Sequence, residues 1–197
     1  EVALRAKNMT LLEAKYLLKS NLEDVNSMER LSNYLLELNR SESMESGLEM
    51  EKINLGEVVK NTLESIDSNI KKNNVEVIKN ITPVWVVGEK GAVKEIASIL
   101  IDNAIKYSGK EKKIEVSVVK GGKLIVKDYG IGIAKEDIPN IFDRFYRVEA
   151  SRSKEKVDGY GLGLSIAKSL ADKMGAKIRV QSKIGKGSSF NVRFPLA

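Results

Sequence analysis

Three short segments follow one another within about sixty residues: Asp102-Asn103-Ala104-Ile105-Lys106-Tyr107, Asp128-Tyr129-Gly130-Ile131-Gly132-Ile133 and Gly159-Tyr160-Gly161-Leu162-Gly163-Leu164. The first closes a run with helical periodicity, the second closes a run that alternates as a strand, and the third opens a second helical run. A fold that uses all three must bring a helix end, a strand end and a helix start together. They offer an amide oxygen that can ligate a metal, a carboxylate that can read an adenine amine, and glycines that let backbone N–H groups reach phosphates. Taken together they describe a nucleotide site.

Composition narrows the alternatives. With 197 residues, 42% of them hydrophobic, the chain can bury a real core in one domain plus an appendage. Its net charge of +6 permits nucleic-acid binding in principle, but aromatics are only 6% and the basic residues are dispersed among acidic ones. No nucleic-acid signature interleaves them, so no nucleic-acid partner is expected. The absence of cysteine excludes disulfides, thiolate chemistry and cysteine-ligated zinc, and the absence of histidine removes most transition-metal sites. No run approaches the roughly 18 apolar residues that span a bilayer, and no signal peptide opens the chain, so it is expected to be soluble as given. It begins in what reads as mid-helix, which suggests a piece of a longer protein with room for a membrane segment upstream.

Residues 10–40 carry one apolar stripe at helical spacing, with Leu11, Leu18, Leu22, Val25, Met28, Leu31, Leu35 and Leu38. A helix of that length, roughly 45 Å at 1.5 Å per residue, calls for a partner helix. Asn8 and Thr10 supply capping chemistry before it. Glu1–Lys7 reads as the tail of a preceding helix, so residues 1–46 are expected to form part of a helical hairpin. Ser41–Lys52 is polar and lacks periodicity, which places a linker at 47–52 and a second domain at 53–197. Within that domain helices are predicted over Leu55–Lys72, Val93–Tyr107, Ile138–Phe145 and Leu162–Met174. Strands are predicted over Val75–Ile81, Val84–Val87, Ile114–Val119, Lys123–Lys127, Lys177–Ser182 and Ser189–Phe194. Gly121-Gly122 signals a hairpin. The pattern is an α+β fold, a two-layer α/β sandwich with a mixed sheet.

Better-known phosphate loops do not fit. A Rossmann fingerprint needs its glycines at a strand-to-helix turn, whereas Gly159–Gly163 follows a polar loop. Gly185-Lys186-Gly187-Ser188 lacks the upstream glycine of a P-loop and leads into a strand, so it reads as a hairpin turn. As a set, the segments resemble the histidine-kinase-like ATP-binding superfamily (GHKL), and within it the sensor histidine kinases of two-component systems. Asn103 with Lys106-Tyr107 matches the N box, Asp128-x-Gly130-x-Gly132-Ile133 the first glycine box, Phe142-x-x-Phe145-Tyr146 the F box, and Gly159-x-Gly161-x-Gly163-Leu164 the second glycine box. Residues 1–46 resemble the later part of a dimerisation and histidine-phosphotransfer hairpin.

The resemblance implies ATP and Mg²⁺ as cofactors. Asn103 is the implied metal ligand, and Asn103 and Lys106 are the implied catalytic residues, with Lys106 meeting a phosphate. Tyr107 flanks the nucleotide, Asp128 accepts from the adenine amine, Gly130 and Gly132 admit the purine, and Ile133 packs beneath it. Arg147 is the implied lid-side phosphate contact, with Arg144 and Arg152 as competitors, and Ser151–Asp158 has the composition of a lid. Gly159, Tyr160, Gly161, Leu162, Gly163 and Leu164 are implied to surround the phosphates at a helix start. Phe142, Phe145 and Tyr146 are expected to anchor the base of the lid.

Two departures sharpen the reading. One helical turn before Asn103 the hydrolytic members carry a glutamate that activates water, and many histidine kinases carry an asparagine; this chain has Ile99, which can do neither. The chain also lacks the acceptor histidine, which the hairpin resemblance places upstream of Glu1. The expected function is an ATP-dependent histidine kinase core, dimeric through the hairpin, cytoplasmic within a membrane-anchored parent, and passing phosphate to an aspartate of a response regulator. The alternatives are a GHKL-type ATPase and a non-catalytic dimeric ATP-binding module.

Overall fold

The computed structural model describes residues 48–148 and 161–197, together with 10, 11, 13–15, 17, 18, 20–22 and 25. The chain divides into two units, Glu1–Gly47 and Leu48–Ala197. In the first, the described residues from Leu11 to Val25 are helical. Thr10 and Glu13 form a capping box: the Thr10 backbone N–H donates to the Glu13 carboxylate (2.8 Å) and the Glu13 N–H donates to Thr10 Oγ1 (3.3 Å). Leu11, Leu18, Leu22 and Val25 of the predicted stripe are all exposed. The rest of the expected hairpin, the expected lid with Arg152, and Gly159 and Tyr160 lie outside the described residues.

The second unit begins with a small antiparallel sheet. Strand β1 (Glu51–Asn54) pairs with β3 (Trp85–Gly88), and Val86 bridges on to Leu196. Glu51 and Lys52, expected in the linker, belong to this strand, because their backbone groups find Gly88 and Val87 as partners. Between β1 and β3 run helix α1 (Leu55–Ser65), helix α2 (Asp67–Lys72) and strand β2 (Glu76–Ile81). A single helix is predicted over α1 and α2, but the chain breaks at Ile66. Thr62 Oγ1 donates to the Val58 carbonyl (2.8 Å) and Ser65 Oγ to the Thr62 carbonyl (2.7 Å), so side-chain hydroxyls compete for acceptors in the last turn.

The main sheet has five strands in the order β2-β4-β5-β7-β6, where β4 is Lys113–Val119, β5 Lys123–Asp128, β6 Lys177–Lys183 and β7 Gly187–Arg193. The β2–β4 pair is parallel and every other neighbour is antiparallel, which makes the sheet mixed. Helices α3 (Lys90–Tyr107) and α4 (Gly163–Lys173) pack on one face of it together with α1. Alternation in β4 and β5 sends Ile114, Val116, Leu124 and Val126 inward to full burial, where they meet Val93, Ile96, Leu100 and Ile101 of α3. Each such aliphatic side chain contributes about 1.5–3 kcal/mol relative to leaving it exposed.

The helix predicted over Ile138–Phe145 is instead a chain of turns spanning 135–145. Pro139 has no N–H to give a helical ladder, and Phe145 takes a left-handed backbone (φ 65°) that no helix interior accepts. Asn140 and Ile141 both donate to the Asp137 carbonyl, the short-range bonding of consecutive turns.

Because Leu100 is fully buried between helix and sheet, Leu100→Ala is expected to lower unfolding stability by about 2–5 kcal/mol. Urea unfolding followed by circular dichroism measures it.

Candidate functional site

Helix α3 carries the first group of site residues at its C-terminal end. Its start is fixed by Glu89, whose carboxylate accepts from the Gly91 (2.7 Å) and Ala92 N–H groups. Its apolar face is buried, which leaves Asn103 part-buried and Lys106 exposed. Ile99, one turn before Asn103 on the same ridge, is close to α4: a side chain at Gly163 would place its Cβ 3.3 Å from Ile99 Cγ2. Asn103 therefore lies on the side of α3 turned towards the start of α4. Its amide has no hydrogen-bond partner among the described residues. Lys106 pairs with Asp102 (2.7 Å), and Asp102 also accepts from Asn69 Nδ2 of α2 (2.9 Å).

Asp128 ends β5 and is 4% exposed. Its Oδ1 accepts from the Gly130 N–H (2.9 Å), and the backbone and hydroxyl of Ser188 bond to it as well. Burial raises the carboxyl pKa above the ordinary value, and these hydrogen bonds pull it partly back. The residue is thus a desolvated acceptor whose partners hold it in one orientation.

The turn after β5 is clamped from two sides. A Cβ on Gly130 would sit 1.5 Å from the Tyr107 carbonyl oxygen, so the end of α3 touches this turn with no room for any side chain. On the other side, Gly187 has φ 84° and a Cβ there would meet the Asp128 carbonyl oxygen at 2.1 Å, which presses the β6–β7 turn against the back of Asp128. Ser182 Oγ accepts from the Ile133 N–H (2.7 Å), while the Ile131 carbonyl accepts from the Gly185 N–H (2.8 Å). Ile133 packs against the core and Ile131 is 46% exposed.

Helix α4 starts at Gly163 with Leu162 as its cap, and no side chain caps its first turn. The N–H groups there are available to an anion. Gly161 joins this start to the F-box segment, its carbonyl accepting from the Phe145 N–H (3.1 Å). Leu162 is buried and Leu164 packs partly on the core. Phe142 and Tyr146 also pack on the core, and the Tyr146 hydroxyl donates to Asp137 (2.6 Å). Phe145 departs from expectation: its left-handed backbone turns it outward to 60% exposure. Tyr107 is part-buried; burial raises its phenol pKa while the nearby positive charge of Arg147 lowers it, so Arg147 lies close to the end of α3.

The structure therefore gathers Asp128, Gly130 and the Tyr107 end of α3, and it sets Asn103 on the face that leads to Gly163. Sequence reasoning missed the residues that hold these in place. Ser182 lies on β6 and Gly187 and Ser188 open β7, on either side of a turn that the sequence shows only as a hairpin, and the Asn69–Asp102 bond joins residues far apart in sequence. The second glycine of Gly185-Lys186-Gly187-Ser188, directly before a serine, was the one available signal. Among the described residues no group of three or more acidic side chains could hold a metal by itself. A magnesium ion at Asn103 would accordingly draw its remaining ligands from phosphates and water, which fits a single unengaged amide.

The family model described as histidine kinase-, DNA gyrase B-, and HSP90-like ATPase matches residues 88–197. The sensor histidine kinase YkoH of Bacillus subtilis (strain 168) is 37% identical over 186 residues, covering 90% of this chain and 39% of that protein. Among solved structures, the mycobacterial sensor histidine kinase MprB is 26% identical with a TM-score of 0.63, over 75% of this chain and 97% of that one. Full-length ShkA in complex with AMPPNP shares the fold at 21% identity and a TM-score of 0.71, over 97% of this chain and 40% of ShkA. The chain spans about two-fifths of the length of the curated relatives it matches.

Gly130→Ala forces a methyl group into the Tyr107 carbonyl, and is expected to cost on the order of 3 kcal/mol and to part α3 from the β5 turn. Ala at Gly121, where a Cβ meets nothing within 4 Å, should cost about 1 kcal/mol, from its left-handed backbone alone. Paired denaturant melts of the two variants give the comparison.

Proposed function

The chain belongs to the histidine kinase-, DNA gyrase B-, and HSP90-like ATPase family, and from that premise we propose that it is the ATP-binding catalytic part of a sensor histidine kinase. Its reaction would move the γ-phosphoryl group of ATP to a histidine outside this sequence, and from there to an aspartate of a response regulator. The observation that carries the reading is the buried Asp128 held in one orientation beside Gly130, with Asn103 and the open first turn of α4 in the same neighbourhood.

Asp128 accepts from the adenine amine; guanine presents an oxygen there and leaves the buried carboxylate unpaired. Gly130 and Gly132, expected to admit the purine, act instead on the protein side: a Cβ at Gly130 would strike the Tyr107 carbonyl and one at Gly132 the Lys183 carbonyl, so they let the turn that follows Asp128 seat against its neighbours. The first turn of α4, with Gly161 and Gly163, receives phosphate oxygens on its N–H groups, and Arg147 adds positive charge from the segment leading to the lid. Lys106 exchanges Asp102 for a phosphate. Asn103 would hold Mg²⁺, which supplies neutralisation of the phosphate oxygens when bound.

Transfer to histidine is favoured over hydrolysis by Ile99. It occupies the ridge position one turn before Asn103 and packs towards Gly163, so no carboxylate stands there to take a proton from water. The names of the relatives point the same way. The exposed Leu11, Leu18, Leu22 and Val25 give the N-terminal helix an apolar stripe suited to a homodimer of helical hairpins. No helix among the described residues is long and apolar enough to cross a membrane, which suits a cytoplasmic part of an anchored sensor.

The chain contains no histidine, so the test supplies one in trans, as a hairpin bearing the acceptor, with radiolabelled ATP. Acid-labile label on the hairpin is expected, and none at all would overturn the kinase reading. Asp128→Ala, which leaves the amine unpaired, should weaken a fluorescent ATP analogue by about 10- to 100-fold. Asn103→Ala should abolish the dependence of binding on Mg²⁺.

A further inference from the structure

Among the described residues the main sheet is covered by helices on one face only. On its other face, the outward positions of β4, β5, β7 and β6 hold seven lysines and arginines against one carboxylate, Glu115. That excess of six equals the formal net charge of the whole chain, +6. The register aligns Lys123, Arg193 and Lys177 directly across three neighbouring strands, and all three are exposed. Arg179 lies two positions from Lys177 on the same face. Like charges placed directly opposite in a sheet repel. Among the described residues none of the seven makes an ion pair, and Glu115 is taken up by the Tyr129 hydroxyl. On β2, Glu76 lies beside Lys113 and is the nearest further carboxylate on this face by register.

The end of the face nearest the β6–β7 turn has more relief. A cavity of about 290 Å³ is lined by Lys127, Lys183, Lys186, Gln181 and Ser189, and it also borders Asp128, whose carboxyl group is engaged by Gly130 and Ser188. Between Lys183 and Lys186 the tip of the turn carries Ile184, 68% exposed. An aliphatic tip flanked by lysines, next to a hydroxyl- and amide-lined basic cavity, suits a phosphate-bearing surface with apolar material beneath it.

We propose that this outer sheet face docks an anionic lipid bilayer, with phosphate headgroups meeting Lys127, Lys183 and Lys186 and Ile184 entering the headgroup layer. A second copy of the chain is disfavoured because the face would meet its own charge. An acidic protein surface fits less well: five of the seven cations are lysines, compact point charges without the planar fork that grips carboxylates. The aromatic on this face, Tyr129, is part-buried and already engaged: Lys113 and Lys127 lie over its ring, and its hydroxyl accepts from Lys127 (2.9 Å) and donates to Glu115, so it is not a free anchor for a partner's pocket. The inference is independent of the nucleotide reading, since none of the cations named belongs to that site.

The test is sedimentation of the full 197-residue chain with vesicles of phosphatidylcholine, with and without phosphatidylserine. Binding is expected only to the anionic vesicles and should fall steeply as salt is added. The triple variant Lys123→Gln, Lys177→Gln, Arg193→Gln should bind on the order of 100-fold more weakly, while its melting temperature stays level or rises as the repulsion is removed. Lys183→Gln with Lys186→Gln, both in or beside an exposed turn, gives a second reading if the triple variant fails to fold. No binding to anionic vesicles, or binding by both variants as tight as that of the unaltered chain, overturns the proposal. Tighter binding to poly-glutamate or to a DNA duplex than to the vesicles overturns it in favour of that partner class.

Discussion

The contact on which the site depends is between two stretches of backbone. The Tyr107 carbonyl, at the end of α3, reaches the α-carbon of Gly130 so closely that a methyl group there would overlap it. This contact ties the last turn of the helix that carries Asn103 and Lys106 to the turn that carries the partner of Asp128. Without it the two groups would sit on elements free to separate at the edge of the sheet. The buried apolar face of α3 supplies the energy that brings the helix down, and the missing side chain at position 130 sets how close its end can come. A residue that contributes no side chain thus fixes the spacing of those that do.

Asp128 is held by the same logic in a second direction. A carboxylate that is nearly fully buried costs free energy unless its oxygens are satisfied. Gly130 and Ser188 meet that need from opposite sides, one from the turn after β5 and the other from β7. Gly187 permits β7 to press against the aspartate's own carbonyl, and Ser182 bonds both Ser188 and the Gly187 carbonyl. The β6–β7 hairpin therefore acts as the back wall of Asp128.

Much of this was legible in the sequence because it rests on local signals. The period of α3, the alternation of β4 and β5, and the glycines around Asp128 all carry their meaning within a few residues. What was not legible depends on distance or on competition. Ile66 interrupts a helix because the Thr62 and Ser65 hydroxyls in the preceding turn take up carbonyls, an outcome that periodicity does not report. Ile138–Phe145 has helical spacing, yet Pro139 and the left-handed Phe145 turn it into a succession of turns. Ser188 reaches Asp128 across some sixty positions of sequence. Asn69 meets Asp102 only because α2 is folded back beside α3.

Ile99 connects the fold to the choice of reaction. Its Cγ2 atom nearly fills the space where a side chain at Gly163 would begin, so the isoleucine and the glycine are complementary parts of one contact between α3 and α4. A glutamate at position 99 would bring a charged group into that contact, next to the helix start assigned to phosphates, and would need solvation that the packing does not offer. An apolar residue there closes the α3–α4 contact and leaves Asn103, one turn on, as the nearest polar group on the ridge. The same isoleucine that closes on the start of α4 thereby leaves no carboxylate at the position where a base for water would stand. Tight packing and the lack of a carboxylate at this position follow from one side chain, so under the proposed function a nucleotide held in this site would wait for an acceptor brought from elsewhere.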